Sequence, residues 1–276
     1  DLGFVIEVHP RLGYRVAVHD DLERVSGRVV FQGFVTYRVS YMRECSSTQD
    51  VADSLAREGA PEGTVVICEA MSRGRGRLGR GWVAGEGGLW FTVLLRPPFV
   101  KSLQLISLAS GVAVAKTLRK LFNIGAEVKW PNDVLINGKK VCGILIEARA
   151  EADKIHYILL GIGVNVNNVL PQELLETATT VREVIGFEAP RAPILKNTIM
   201  EIDAGYRKLA DGMVADIVRE WTIYSSTIGR RVKAILLNEE IEGIAIDLDE
   251  DGALLIESRD RRIRNCLLYT SDAADE

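Results

Sequence analysis

Apolar and polar positions along the chain change period several times, and each change predicts an element. Residues 5–8 and 14–18 are apolar, β-branched or aromatic on either side of Pro10-Arg11-Leu12-Gly13, which predicts a β-hairpin over residues 4–18. A polar connector over 20–27 leads to a strand signal at 35–41. Ser47 or Thr48 caps a predicted helix over 49–58, whose apolar stripe is Val51, Ala52, Leu55 and Ala56. Residues 64–69 and 89–95 read as strands, and helical period runs over 103–122 until Asn123 or Gly125 stops it. Short strands are expected at 128–129, 134–136, 142–148 and 157–165, with Asn137-Gly138 as a hairpin turn. Residues 170–222 have helical texture broken near 186–193. Beyond 225 come the short alternating strands 231–236, 240–248 and 253–257, the pattern of a small β-barrel.

Composition narrows this little. The 276 residues suffice for one large or two unequal domains, and 47% apolar with 26% charged residues is ordinary for a globular protein. A net charge of −4 excludes a chain that is basic throughout, so nucleic-acid binding would need a local patch. No apolar run approaches the roughly 20 residues of a membrane span. Cys45, Cys68, Cys142 and Cys266 have neither metal-ligand spacing nor a paired framework, and reduced thiols in a cytoplasmic protein are expected.

Two segments carry candidate chemistry. In Gly74-Arg75-Gly76-Arg77-Leu78-Gly79-Arg80, glycines allow close approach of backbone to a ligand, and arginines present planar forks of donors to phosphate or carboxylate oxygens. Five arginines (Arg73, Arg75, Arg77, Arg80 and nearby Arg96) repel one another, so the loop is expected to order around an anion. Alone, this loop is equally consistent with a solvated basic turn or an RNA-binding segment. The second segment is Lys129-Trp130-Pro131-Asn132-Asp133 followed by Lys140 and Gly143, where strand-turn-strand geometry would return Lys140 beside Asp133.

Together these motifs resemble the biotin protein ligase family over roughly residues 41–256: Ser47-Thr48-Gln49, the Gly74–Arg80 loop with Trp82, Lys129–Asp133, Lys140 with Gly143, and Gly161-Ile162-Gly163-Val164-Asn165-Val166-Asn167. The resemblance implies an α+β chain with a mixed-sheet, class II synthetase-like catalytic domain at 37–222 and an SH3-like barrel at 225–265. It implies that Ser47, Thr48, Gln49, Arg75, Gly76, Arg77, Lys140 and Gly143 bind biotin, and that Trp82, Trp130, Asn132 and Asn165 bind nucleotide. Lys140, Arg75, Arg77 and Asp133 would be catalytic, with ATP and biotin as substrates and Mg²⁺ as cofactor. The expected product, biotinyl-5′-AMP, passes to a lysine of a biotin carboxyl carrier protein, and a homodimer is implied. Met71 departs from the family, which commonly has Gln there, and reads as a gap-filling core residue.

The ends add expectations of their own. The hairpin over 4–18 resembles the wing of a winged-helix DNA-binding domain, with Arg11 and Arg15 as phosphate contacts, so residues 1–36 read as the remnant of a repressor's DNA-binding domain and linker. Operator binding would require that domain whole. Residues 266–276 resemble a translated sequencing adapter, and the barrel would then lack its closing strand. The alternatives are a lipoate-protein ligase and a non-catalytic biotin-sensing regulator.

Overall fold

A computed structural model describes residues 4–10, 13–18, 22–97, 102–151, 154–236, 239–258, 262–265 and 270–272. Strands β1 (Phe4–His9) and β2 (Gly13–Val18) pair antiparallel, as the pattern predicts. Arg11 and the Arg15 side chain lie outside the described residues. The next elements are β3 (Val29–Gln32), β4 (Thr36–Cys45), α1 (Thr48–Arg57), β5 (Thr64–Met71), β6 (Leu89–Leu95), α2 (Leu103–Phe122), β7 (Ala126–Lys129), β8 (Asp133–Ile136), β9 (Lys139–Glu151) and β10 (Lys154–Val164). Helices α3 (Val181–Ile185), α4 (Arg191–Ala210) and α5 (Val214–Tyr224) precede β11 (Arg231–Leu236), β12 (Glu239–Leu248), β13 (Leu254–Glu257), β14 (Arg262–Asn265) and β15 (Thr270–Asp272).

Eight strands form one mixed sheet in the order β3-β4-β5-β6-β10-β9-β8-β7. Its single parallel pair, β4–β5, is joined by α1 as crossover. The alternation of strand side chains decides which face each helix covers. Val65 and Ile67 on β5, and Ile158, Leu160 and Ile162 on β10, join the main core with α2 and α4. Val66, Tyr157 and Leu159 point the other way and pack under Ala52 and Ala56 of α1. Among the described helices α1 is therefore the one that covers this face, and along β10 the face continues into Gly161 and Gly163.

Local signals explain most boundaries. Ser47 is the N-cap of α1, its hydroxyl accepting from Gln49 N, and Asn123 ends α2 in the left-handed conformation. Asn137 and Gly138 both have positive φ, 52° and 78°, as a tight two-residue hairpin requires.

Strands β14-β13-β12-β11-β15 form a separate antiparallel sheet. Its β12–β13 turn docks on the start of α2 and the β7–β8 turn: Trp130 Nε1 donates to Gly252 O at 3.1 Å, and Ser102 Oγ to Asp251 O at 2.7 Å.

The structure corrects three expectations. The connector over 20–27 contains a short 3-10 turn that buries Leu22 and Val25, and β3 follows it; too few apolar residues recur there to show a period. Residues 172–177 form a short 3-10 turn and turns, and 178–180 run extended beside β9 rather than as helix, because Lys140 N donates to Thr177 O and Thr179 N to Lys140 O. The closing strand expected to be missing is supplied by β15, which pairs with β11 through Val232↔Asp272 and Ala234↔Thr270.

Candidate active site

The glycines of β9 and β10 make a floor. Gly143 and Gly163 are cross-strand partners, and Gly161 lies two residues before Gly163 on the same face. The Trp82 indole lies on this pair: a Cβ at Gly143 would stand 2.9 Å from the ring and one at Gly163 2.8 Å. A Cβ at Gly161 would stand 2.4 Å from Gln49 Nε2. The Gln49 amide and the Trp82 ring thus sit side by side, about 7 Å apart along β10. Above them opens a cavity of about 670 Å³.

The glycine-arginine loop is the tip of an arm that rises beside this floor. Its limbs pair through Met71 N to Ala84 O, Trp82 N to Gly74 O and Gly76 N to Arg80 O. At the tip Leu78 has φ 56°, a left-handed conformation that a leucine adopts at a cost. Arg77 Nη1 donates to Asn132 Oδ1 at 3.3 Å. Burial lowers the Arg77 pKa, and Asp133 partly opposes this. Arg75 instead reaches Asp50 Oδ1 at 2.7 Å and Glu147 Oε2 at 3.3 Å. Burial disfavours its charge, but these two carboxylates outweigh that and raise its pKa. Arg96 lies elsewhere, donating to Ala56 O and Ala60 O at the end of α1. The expected mutual repulsion of arginines is thus corrected: Arg75 is neutralised by the protein itself.

The third wall is the Lys129–Asp133 motif. Asn132 is locked to β9, its Nδ2 donating to Ile144 O at 2.6 Å and its O accepting from Ile144 N at 2.9 Å. Lys140 Nζ stands 2.6 Å from Asp133 Oδ1 and 5.3 Å from the Trp82 ring centroid, so the expected return of Lys140 beside Asp133 is observed. The Asp133 contact has ion-pair distance without hydrogen-bond geometry, which leaves Oδ1 able to accept elsewhere. Cys142, wholly buried behind this wall, has its thiol pKa pushed up by desolvation.

All thirteen residues singled out from sequence line the one cavity: Ser47, Thr48, Gln49, Arg75, Gly76, Arg77, Trp82, Trp130, Asn132, Asp133, Lys140, Gly143 and Asn165. Three buried polar atoms among them lack a hydrogen-bond partner: Gln49 Oε1, Trp82 Nε1 and Asp133 Oδ1, the last in ion-pair contact with Lys140. An unpaired buried acceptor beside an unpaired buried donor suits a polar ligand, because each alone costs about 1–3 kcal/mol.

Met71 is corrected too. It is half-buried in the cavity wall, and its Sδ accepts from Thr48 N at 3.3 Å, so it positions Ser47-Thr48-Gln49 rather than filling a core gap. Sequence reasoning missed Asp50 and Glu147, which look like ordinary surface acids. It also missed Glu173, Glu176 and Thr177, in the turns between β10 and α3, which line the cavity. Among the described residues no group of three His, Cys, Asp or Glu side chains could hold a metal ion. No helix among them is long and apolar enough to cross a membrane.

Comparison with known proteins places this geometry. The model of the Biotin/lipoate A/B protein ligase family matches residues 41–165, and that of the Biotin protein ligase C terminal domain matches 227–264. The chain is 36% identical over 268 residues to the Bifunctional ligase/repressor BirA of Bacillus subtilis, covering 94% of this chain and 82% of that protein. It is 35% identical over 226 residues to the Biotin--[acetyl-CoA-carboxylase] ligase of Mycobacterium tuberculosis, covering 77% and 81%. Its fold is similar to that of the biotin protein ligase from Aquifex aeolicus in complex with biotin and ATP, with TM-score 0.74, 29% identity, and coverage of 85% and 99%. The chain belongs to the biotin protein ligase family of enzymes.

Proposed function

We propose that this protein joins biotin to ATP as biotinyl-5′-AMP and transfers the biotinyl group to a lysine of a biotin carboxyl carrier protein. The observation that carries the reading is the convergence of an unpartnered Gln49 Oε1, suited to a ureido N–H, with Lys140 and Arg77 around one cavity. The biotin and ATP held by the Aquifex aeolicus relative support it.

Biotin's carboxylate is ionised at neutral pH, since such groups titrate near about 4. It attacks the α-phosphorus of ATP without a general base, the new C–O–P bond forming as pyrophosphate leaves. What the protein contributes is the positioning of two anions and stabilisation of the leaving charge, roles assigned to Lys140 and Arg77; Arg75, expected to share them, is turned to Asp50 and Glu147. Ser47, Thr48, Gln49, Gly76 and Gly143 would hold biotin; Trp82, Trp130, Asn132 and Asn165 would hold the nucleotide. Mg²⁺ would arrive on the triphosphate, which fits a site with no cluster of three acidic or His ligands among the described residues.

In the second step the acceptor amine attacks the mixed anhydride and AMP leaves. A lysine of pKa about 10.4 is almost wholly protonated at pH 7, and Asp133 is the group we assign to orient it and take its proton. Residues 37–222 would form the catalytic domain and 225–265 the SH3-like domain, the whole acting in the cytoplasm. The β1–β2 hairpin would be the wing of a DNA-binding domain, in keeping with the ligase/repressor name of the Bacillus subtilis relative. For the catalytic reading, ATP–pyrophosphate exchange that depends on biotin and not on lipoate is the expected result; dependence on lipoate, or none, would overturn it.

A further inference from the structure

The contact of Arg75 with Asp50 and Glu147 concerns neither substrate directly. Asp50 lies in the first turn of α1, directly after the Ser47-Thr48-Gln49 cap, and Glu147 lies on β9. One guanidinium thus ties the arm to two separate elements that flank the cavity. Asp50 is fixed for the task, because its other oxygen accepts from Ser46 Oγ at 3.1 Å. The arm's base is set by backbone pairing, Arg73 N donating to Ser46 O at 2.8 Å and Trp82 N to Gly74 O at 2.9 Å. Its tip has a strained Leu78 and is tied by side chains, Arg75 to the two acids and Arg77 to Asn132.

We propose that Asp50, assisted by Glu147, is a positioning residue that clasps Arg75 and so holds the arm over residues 71–84 closed across the cavity. The inference rests on the activity proposed above, in which a water-sensitive mixed anhydride must be kept in place between two steps. Arg75 side chain and Asp50 side chain are 36% and 43% exposed, so the clasp is screened by salt and worth little enough to open in each cycle. It gives a polar latch whose strength is independent of the ligand's own charge. An arm held only by substrate anions would instead loosen as pyrophosphate departs, when the intermediate most needs cover.

The test compares the wild-type chain with Asp50→Asn, Glu147→Gln and Asp50→Glu. Asn keeps an acceptor for Ser46 Oγ and removes the charge. Two readouts are taken: the rate at which preformed biotinyl-AMP is lost from the protein, and the rate of trypsin cleavage after the arginines of the arm. Asp50→Asn should raise both about three- to five-fold at low salt, as expected of one exposed ion pair, with pyrophosphate exchange changed less than two-fold. Glu147→Gln should raise both by less, and Asp50→Glu should restore the wild-type rates. Raising salt from about 0.05 to about 0.5 M should accelerate both in the wild type and leave Asp50→Asn nearly flat. Unchanged adenylate loss and cleavage in Asp50→Asn would overturn the clasp, as would an equal salt response in the two proteins. If the wild type forms no biotinyl-AMP, the proposed activity fails, while the cleavage rates still decide the clasp.

Discussion

Gly163 lies directly beneath the Trp82 indole, so close that a Cβ there would stand 2.8 Å from both Nε1 and Cε2. The glycine is what lets the ring lie flat on β10. Gly163→Ala should push the ring off the sheet and into the cavity. We expect KM for ATP to rise at least about ten-fold, with an overpacking cost of about 1–3 kcal/mol if the ring stays. Gly125→Ala, where an added Cβ meets nothing within 4 Å, is the control and should change neither KM nor Tm.

Gln49 is 4% exposed and holds one amide hydrogen on Leu145 O at 3.0 Å, while its Oε1 has no partner. Gln49→Leu removes the acceptor that a ureido N–H would use. Calorimetry should show biotin binding weakened about 5- to 150-fold, corresponding to about 1–3 kcal/mol. Tm should move little, because the variant loses one hydrogen bond and one unpaired buried oxygen together.

The Lys140–Asp133 pair separates the two chemical steps. Lys140→Met should reduce pyrophosphate exchange about 10²–10³-fold, the usual consequence of removing one charge-stabilising donor. Asp133→Asn should spare exchange and slow transfer to the acceptor lysine. Equal loss in both steps would count against an acceptor-specific role for Asp133.

Asp53 on α1 offers a pH signature remote from the chemistry. Its carboxylate accepts from Arg149 Nε and Tyr157 Oη, each at 2.9 Å, and its pKa is held below the ordinary aspartate value chiefly by Arg149. A depressed folded-state pKa adds stability above the unfolded value and loses it as pH falls through the folded one. Asp53→Asn should therefore lower Tm near neutrality, and the difference from wild type should shrink in acid below about pH 4. A Tm difference that grows in acid would contradict the assignment.

How far the sequence discloses this site depends on the kind of residue. Ser47, Gln49, Lys140 and the glycine-arginine loop were legible because cap, charge and glycine patterns are local, and β6 and α2 because their apolar periods are long. Asp50 and Glu147 were not, since an acid in a first helical turn and another on a strand look like solvated surface until the fold brings them to Arg75. The segment over 177–180 does not continue the helical texture because Thr177 O and Thr179 N bond Lys140, a partner 37 or more residues away. Met71 looked like core filler because a thioether's acceptor role shows only when an amide such as that of Thr48 is set against it.

The most direct test of the central claim is the mass of the adenylate formed when the protein is incubated with ATP and equal amounts of biotin and lipoate. The cavity with Gln49 Oε1 free for a ureido N–H predicts biotinyl-AMP and no lipoyl-AMP; lipoyl-AMP, or no acyl-adenylate at all, would contradict it.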